Sequence, residues 1–198
     1  MKAIILAAGI GKRLGPVSYQ KPKCLLSFDG VSLLQRHLAI LEYYDICEVC
    51  IITGYESGQI AQALPNLSLS SQLVYNARYQ QGSVVSLWSA QAFLTTGDDI
   101  LLMDADVLYD HKIIGTLVNT AHRNCFLLDR DFEAGDEPVK LCISNGRLVE
   151  FRKNVAQEVQ FDQQGESVGF FRFSGEIAGI LAQQTRHYID TERQDEPY

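Results

Sequence analysis

Residues 1–15 read MKAIILAAGIGKRLG. The run Lys2–Ala8 is apolar without alternation. Such a run, of strand length, suits a parallel strand buried on both faces. It stops at a loop carrying Gly9, Gly11 and Gly15, with Lys12 and Arg13 inside it. Glycines let backbone N–H groups close around phosphate oxygens, and two cations add charge.

Working outward, strand-like and helix-like segments alternate. SLLQRHLAILEYY (32–44) has Leu34, Leu38 and Leu41 at helical spacing. EVCIITGY (48–55) reads as a second buried strand, and SGQIAQAL (57–64) as a helix ended by Pro65. SQLVYN is a third strand, SVVSLWSAQAFL (83–94) a helix, and DDILLMDAD (98–106) a fourth strand ending in acids. Helical HKIIGTLVNTA and strand CFLLDR complete the alternation. This order predicts an α/β fold, a Rossmann-like, mostly parallel sheet flanked by helices. Ligands in such sheets bind beyond the carboxyl ends of the strands. Gly9–Arg13, Thr53–Tyr55 and Asp104–Asp106 all fall there.

After residue 130 the texture turns β-rich. VKLCIS and RLVEF flank Asn145-Gly146, a strong hairpin signal. ESVGFFRF is a further strand. SGEIAGILAQQTRHYI is a helix with Ser174 as N-cap and Glu176 in the first turn. The expectation is one domain over 1–198, with a nucleotide-binding half (1–130) and a β-rich acceptor-binding half (131–198).

The chain has 198 residues, 46% hydrophobic and 21% charged, with net charge −7. The acidic balance argues against a nucleic-acid or anionic-membrane partner. No apolar run nears the roughly 18 residues of a membrane span. Cys47 and Cys50 form a C-x-x-C, but no second ligand pair at zinc spacing accompanies them. The five cysteines read as reduced thiols, and the expected location is cytoplasmic. His37, His111, His122 and His187 show no metal spacing and read as surface or helix residues.

Two common phosphate loops fail. A P-loop needs Gly where Leu6 stands and Ser or Thr where Arg13 stands. A dinucleotide fingerprint needs Gly where Leu14 stands. A third pattern fits: Leu6-Ala7-Ala8-Gly9-Ile10-Gly11-Lys12-Arg13-Leu14, then Pro22-Lys23-Cys24-Leu25. It resembles the signature of the nucleotidyltransferases that activate sugar phosphates and related phosphomonoesters. The likeness continues through TGY, GSVVSLWSA, MDADVLY and VGFF.

That resemblance implies the nucleotide-diphospho-sugar transferase type of fold and a Mg²⁺-dependent reaction. Leu6, Ala7, Ala8, Gly9, Gly11, Lys12 and Arg13 would hold the triphosphate, with Arg13 and Lys23 catalytic. Asp106 would hold the metal, and Asp104 would assist or bind a nucleotide hydroxyl. Gly82, Ser83 and Ser86 would read the base, with Ser83 alternatively only a helix N-cap. The acceptor would meet Glu150, Lys153, Glu166 and Gly169, with Phe170, Phe171, Tyr109 and Trp88 as aromatics for a cationic head group or as core. A second metal carboxylate is expected late in the chain, and neither Asp190 nor Asp195 has a strand around it. N-x-x-Y before S-L is closer to the choline-phosphate cytidylyltransferase branch, so the expected partners are CTP and a small phosphomonoester. A sugar-1-phosphate uridylyl-, thymidylyl- or guanylyltransferase, a glycosyltransferase and a non-catalytic nucleotide-binding domain remain alternatives.

Overall fold

A computed structural model describes residues 1–11, 21–64, 68–133, 135 and 138–191. Strand β1 (Lys2–Ala7) is the centre of the parallel part, between β4 (Glu48–Thr53) and β6 (Ile100–Asp104), with β5 (Ser70–Tyr75) outside β4. Because successive side chains point to opposite faces, β1 feeds two cores. Ala3 and Ile5 pack with Leu34, Leu38 and Leu41 of α1 (Leu33–Tyr43), Ile60 of α2 (Ser57–Ala63) and Ile114 and Leu117 of α5 (Lys112–Asn119). Ile4 packs with Leu94 of α4 (Gln91–Leu94) and with Ala178 and Ala182 of α6 (Gly175–Asp190). This is why the opening run shows no alternation. A two-stranded hairpin, β2 (Ser27–Phe28) and β3 (Val31–Ser32), leads into α1. The helix starts on a capping box between Ser32 and Gln35.

The segment 83–94 is two helices, α3 (Ser83–Ser89) and α4, not one. Ala90 adopts φ −86°, ψ 11° between them, which interrupts the helical ladder. Strand β7 (Cys125–Asp129) does not extend the parallel set. It pairs antiparallel with β10 (Gln163–Phe173). Strands β8 (Lys140–Ser144) and β9 (Arg147–Arg152) form the expected hairpin, with Asn145 and Gly146 at φ 50° and 73°. Ser174 caps α6, accepting from the Ile177 N–H.

Strand β10 starts before the expected ESVGFFRF and joins the two halves. β7 occupies one edge of it at Glu166–Ser167 and Phe171–Arg172. The other edge is shared: β6 pairs at Phe170–Phe173 and β8 at Gln163–Glu166. The β8–β9 hairpin therefore continues the sheet past the carboxyl end of β6, on the side where parallel strands present ligands. Among the described residues, no helix is long and apolar enough to cross a membrane.

Candidate active site

The carboxyl ends of β1 and β6, the 3-10 turn Lys23–Leu25 and the approach to α3 enclose a cavity of about 400 Å³. Leu6 through Gly11 form one wall, and Lys23 and Cys24 a second. Gly82, Ser83 and Ser86 form the third, and Asp104, Ala105 and Asp106 the fourth. Every expected triphosphate, base and metal residue that is described thus meets in one place. Lys12 and Arg13 lie outside the described residues, as does Asp195.

Close backbone approach decides the shape. Gly11 has φ +73°, and a Cβ there would sit 2.8 Å from Lys23 Cγ. The lysine stem lies along the missing side chain, and its ammonium reaches Asp106 Oδ2 at 2.7 Å. Tyr55 N–H donates to the Ala8 carbonyl at 3.2 Å. A Cβ on Gly54 would stand 2.4 Å from that of Tyr79. The TGY segment therefore braces the glycine loop from behind and is not among the residues lining the cavity.

At the third wall, Gly82 (φ +98°) and not Ser83 is the N-cap of α3. Ser86 is buried and accepts a hydrogen bond from Asn76 Nδ2 at 3.1 Å. Asn76 is itself buried, tied by its N–H to Thr53 and by Oδ1 to the Arg78 N–H. It fixes the end of β5 to α3, and the N-x-x-Y spacing was its only trace in the sequence. Tyr79 and Gln80 also line the cavity. Tyr79 is the tyrosine of that N-x-x-Y, while Gln80 follows it in a polar stretch with no pattern of its own.

Asp104 is half-buried beside Asp106. Burial, and then the Asp106 charge, push its carboxyl up to about 6, against the opposing pull of Lys23. Gly169 stands against this carboxyl: with φ +79°, a Cβ would meet Asp104 Oδ2 at 2.5 Å. Gly146 has a similar φ (+73°) with nothing within 4 Å of a Cβ. Both alanine variants carry the left-handed backbone cost. Gly169→Ala adds the collision and is expected to lose about 1–3 kcal/mol more in urea unfolding than Gly146→Ala. Equal losses would mean that the Asp104 carboxyl has room to move.

The other acceptor candidates do not line this cavity. Glu166, Lys140 and Arg152 pair across β10, β8 and β9 in the row of the hairpin nearest Gly169. Glu150 forms an ion pair with Arg152 at 2.9 Å. The Lys153 carbonyl accepts from Lys140 Nζ at 2.7 Å. Phe170 is fully buried core, Phe171 packs against Phe126, Phe151 and Phe173, and Tyr109 packs on His37. None of these, nor Trp88, faces the cavity as a cage. Asp190 ends α6 and faces Arg186 at 3.7 Å. Cys47 is exposed, and Cys50 lies buried in β4. His37 is a helix residue, as expected for the histidines, and it is fully buried.

A glycine loop at the end of the first parallel strand, a lysine across from it and two carboxylates beside it meet beyond the strand ends of an α/β domain. Residues 3–165 match the MobA-like NTP transferase domain, and the chain belongs to that family. It is a nucleotidyltransferase domain.

The chain is 23% identical to CTP:phosphoglutamine cytidylyltransferase of Campylobacter jejuni over 190 residues, 88% of this chain and 73% of that one. It is 31% identical to choline-phosphate cytidylyltransferase of Haemophilus influenzae over 150 residues, 75% of this chain and 61% of that one. The inositol-1-phosphate CTP transferase structure from T. maritima shares the fold, with TM-score 0.72, 18% identity, and 96% of this chain and 81% of that one covered.

Proposed function

We propose that the protein is a Mg²⁺-dependent cytidylyltransferase that joins CTP to a small phosphomonoester and releases pyrophosphate. The observation that carries this reading is the meeting of Lys23, Asp106 and the Leu6–Gly11 loop around one cavity. The choice of CTP is supported by the names of the two relatives, both cytidylyltransferases with phosphate-bearing acceptors.

An acceptor phosphate oxygen attacks the α-phosphorus, and the bond to the β-phosphate breaks as pyrophosphate leaves. A phosphomonoester with a second pKa near ~6 is already mostly dianionic at pH 7, so no side chain need take a proton. The chain's work is positioning and charge neutralisation. Backbone N–H groups of the glycine loop hold the triphosphate. Lys23 brings a mobile positive charge to the oxygens around the α-phosphorus.

The donor set suits a magnesium ion. Asp106 is exposed to the cavity and already pairs with a cation, the Lys23 ammonium. Mg²⁺ is commonly held by one or two carboxylates together with substrate phosphates. Asp106 would hold it, with Asp104 behind, and the ion would offset charge on the triphosphate.

The test is pyrophosphate release with Mg²⁺ and a pooled set of phosphomonoesters, one nucleotide at a time. Release is expected with CTP, and division of the pool then names the acceptor. Release with UTP, dTTP or GTP alone would move the protein to the sugar-1-phosphate branch. Binding of nucleotide without release would make it a sensing domain.

A further inference from the structure

We propose that His37, oriented by Tyr109, is a positioning residue for the metal-binding carboxylate, holding the Asp104–Ala105–Asp106 turn through the Ala105 carbonyl. This rests on the metal-dependent reading above.

His37 sits on the buried face of α1, far from the cavity wall in sequence, yet its Nε2 lies 3.1 Å from the Ala105 carbonyl oxygen. Its Nδ1 lies 3.0 Å from the Tyr109 hydroxyl. A carbonyl can only accept, so Nε2 carries the proton and donates. Nδ1 is then the acceptor, and the Tyr109 O–H donates to it. Burial pushes the imidazole down to about 4, so the ring is neutral at pH 7 and this tautomer is the one the two partners select.

The rings are locked as well as bonded. His37 stacks on Tyr109 with centroids 5.2 Å apart, and Phe170 packs edge-on to both, at 6.1 Å and 4.6 Å. Phe170 adjoins Gly169, which abuts the Asp104 carboxyl. Ala105 is held from both ends: its N–H donates to Leu6 of β1 at 3.3 Å, and its carbonyl receives His37. The residue is 3% exposed, so without His37 the carbonyl has no ready water. Asp106 leaves this pinned peptide directly, so its carboxylate direction depends on the brace. Ligating groups held from outside in this way commonly lose 10–100-fold in metal affinity when the outer partner is removed.

The test compares His37→Leu, His37→Gln, Tyr109→Phe and Asp106→Ala in the full chain. Mn²⁺ binding is followed by electron paramagnetic resonance with CTP present and no acceptor, and thermal unfolding is recorded beside it. His37→Leu is expected to weaken Mn²⁺ roughly tenfold. His37→Gln, whose amide can still donate to Ala105, is expected to restore most of that affinity even where it melts lower than wild type. Tyr109→Phe, which removes one oxygen and keeps the ring packing, should weaken Mn²⁺ by a few-fold and serves if His37→Leu fails to fold. Wild-type Mn²⁺ affinity in His37→Leu or Tyr109→Phe, with Asp106→Ala abolishing binding, overturns the brace alone. Mn²⁺ binding that Asp106→Ala leaves intact overturns the metal reading and the brace with it.

Discussion

Lys23→Ala is expected to lower turnover by about 100-fold or more while the protein stays folded. The ammonium is the one described cation on the cavity wall, 2.7 Å from Asp106 and opposite the glycine loop. In phosphoryl and nucleotidyl transfer a protein contributes mainly positioning and charge neutralisation at the reacting phosphate, so a cation placed there acts mainly on the barrier. The stability cost should be small. Side-chain exposures of 27% and 41% leave the ion pair in contact with water, where such pairs contribute about 0–1 kcal/mol. Lys23→Arg should restore only part of the rate. The planar guanidinium is bulkier than an ammonium, and the stem already runs against Gly11, where even a Cβ would come within 2.8 Å. Steady-state pyrophosphate release, with urea unfolding as the folding control, decides it. Turnover of Lys23→Ala within threefold of wild type would remove Lys23 from the chemistry.

The sequence displayed those parts of the site that are written locally. Leu6–Gly11 and Lys23 stand out because backbone approach demands glycine and charge demands lysine. Asp104 and Asp106 stand out because carboxylates at the end of a buried strand are otherwise costly. Asn145-Gly146 announced its hairpin because few other residues accept φ near +50° to +70° in succession. Pairing partners were not legible. CFLLDR has the composition of a strand in any direction, and only the structure shows it antiparallel on β10. The placement of the β8–β9 hairpin beyond β6 depends on two strands sharing one edge of β10, a tertiary fact with no local signature. The resemblance singles out Gly169, but its close approach to Asp104 comes from the packing of β10 and has no local signature. His37 had a signal that polarity concealed. It lies three residues after Leu34 and one before Leu38, inside the apolar stripe of α1, and a helical-face reading would have buried it.

Burial of His37 also sets the acid behaviour of the fold. The imidazole falls from an ordinary 6.5 to about 4. Between those values the unfolded chain binds the proton and the folded one does not. His37 therefore contributes stability that is full above pH 6.5 and is lost as pH falls towards 4, about 3 kcal/mol in all. Asp104 runs the other way. Its carboxyl rises from 3.8 to about 6, so the folded state binds the proton first. Its contribution is full below pH 3.8 and is lost as pH rises through 6; about 3 kcal/mol is the unscreened ceiling, and partial exposure to the cavity keeps it below that. Asp99, which Arg123 holds below the usual carboxylate range, acts only at lower pH. Wild-type stability is therefore expected to change little between pH 6.5 and 4.5, because two opposed titrations overlap. Single variants should separate them. His37→Gln removes the acid-labile group and should become more stable, relative to its own value at pH 6.5, on acidification to pH 4.5. Asp104→Asn removes the opposing group and should lose stability over the same interval, by about 2–3 kcal/mol. Urea unfolding of the three proteins at pH 6.5, 5.5 and 4.5 measures the slopes directly. Parallel slopes for wild type and His37→Gln would mean that the buried imidazole titrates as it does in water, which a side chain with 0% exposure between a carbonyl and a tyrosine should not do.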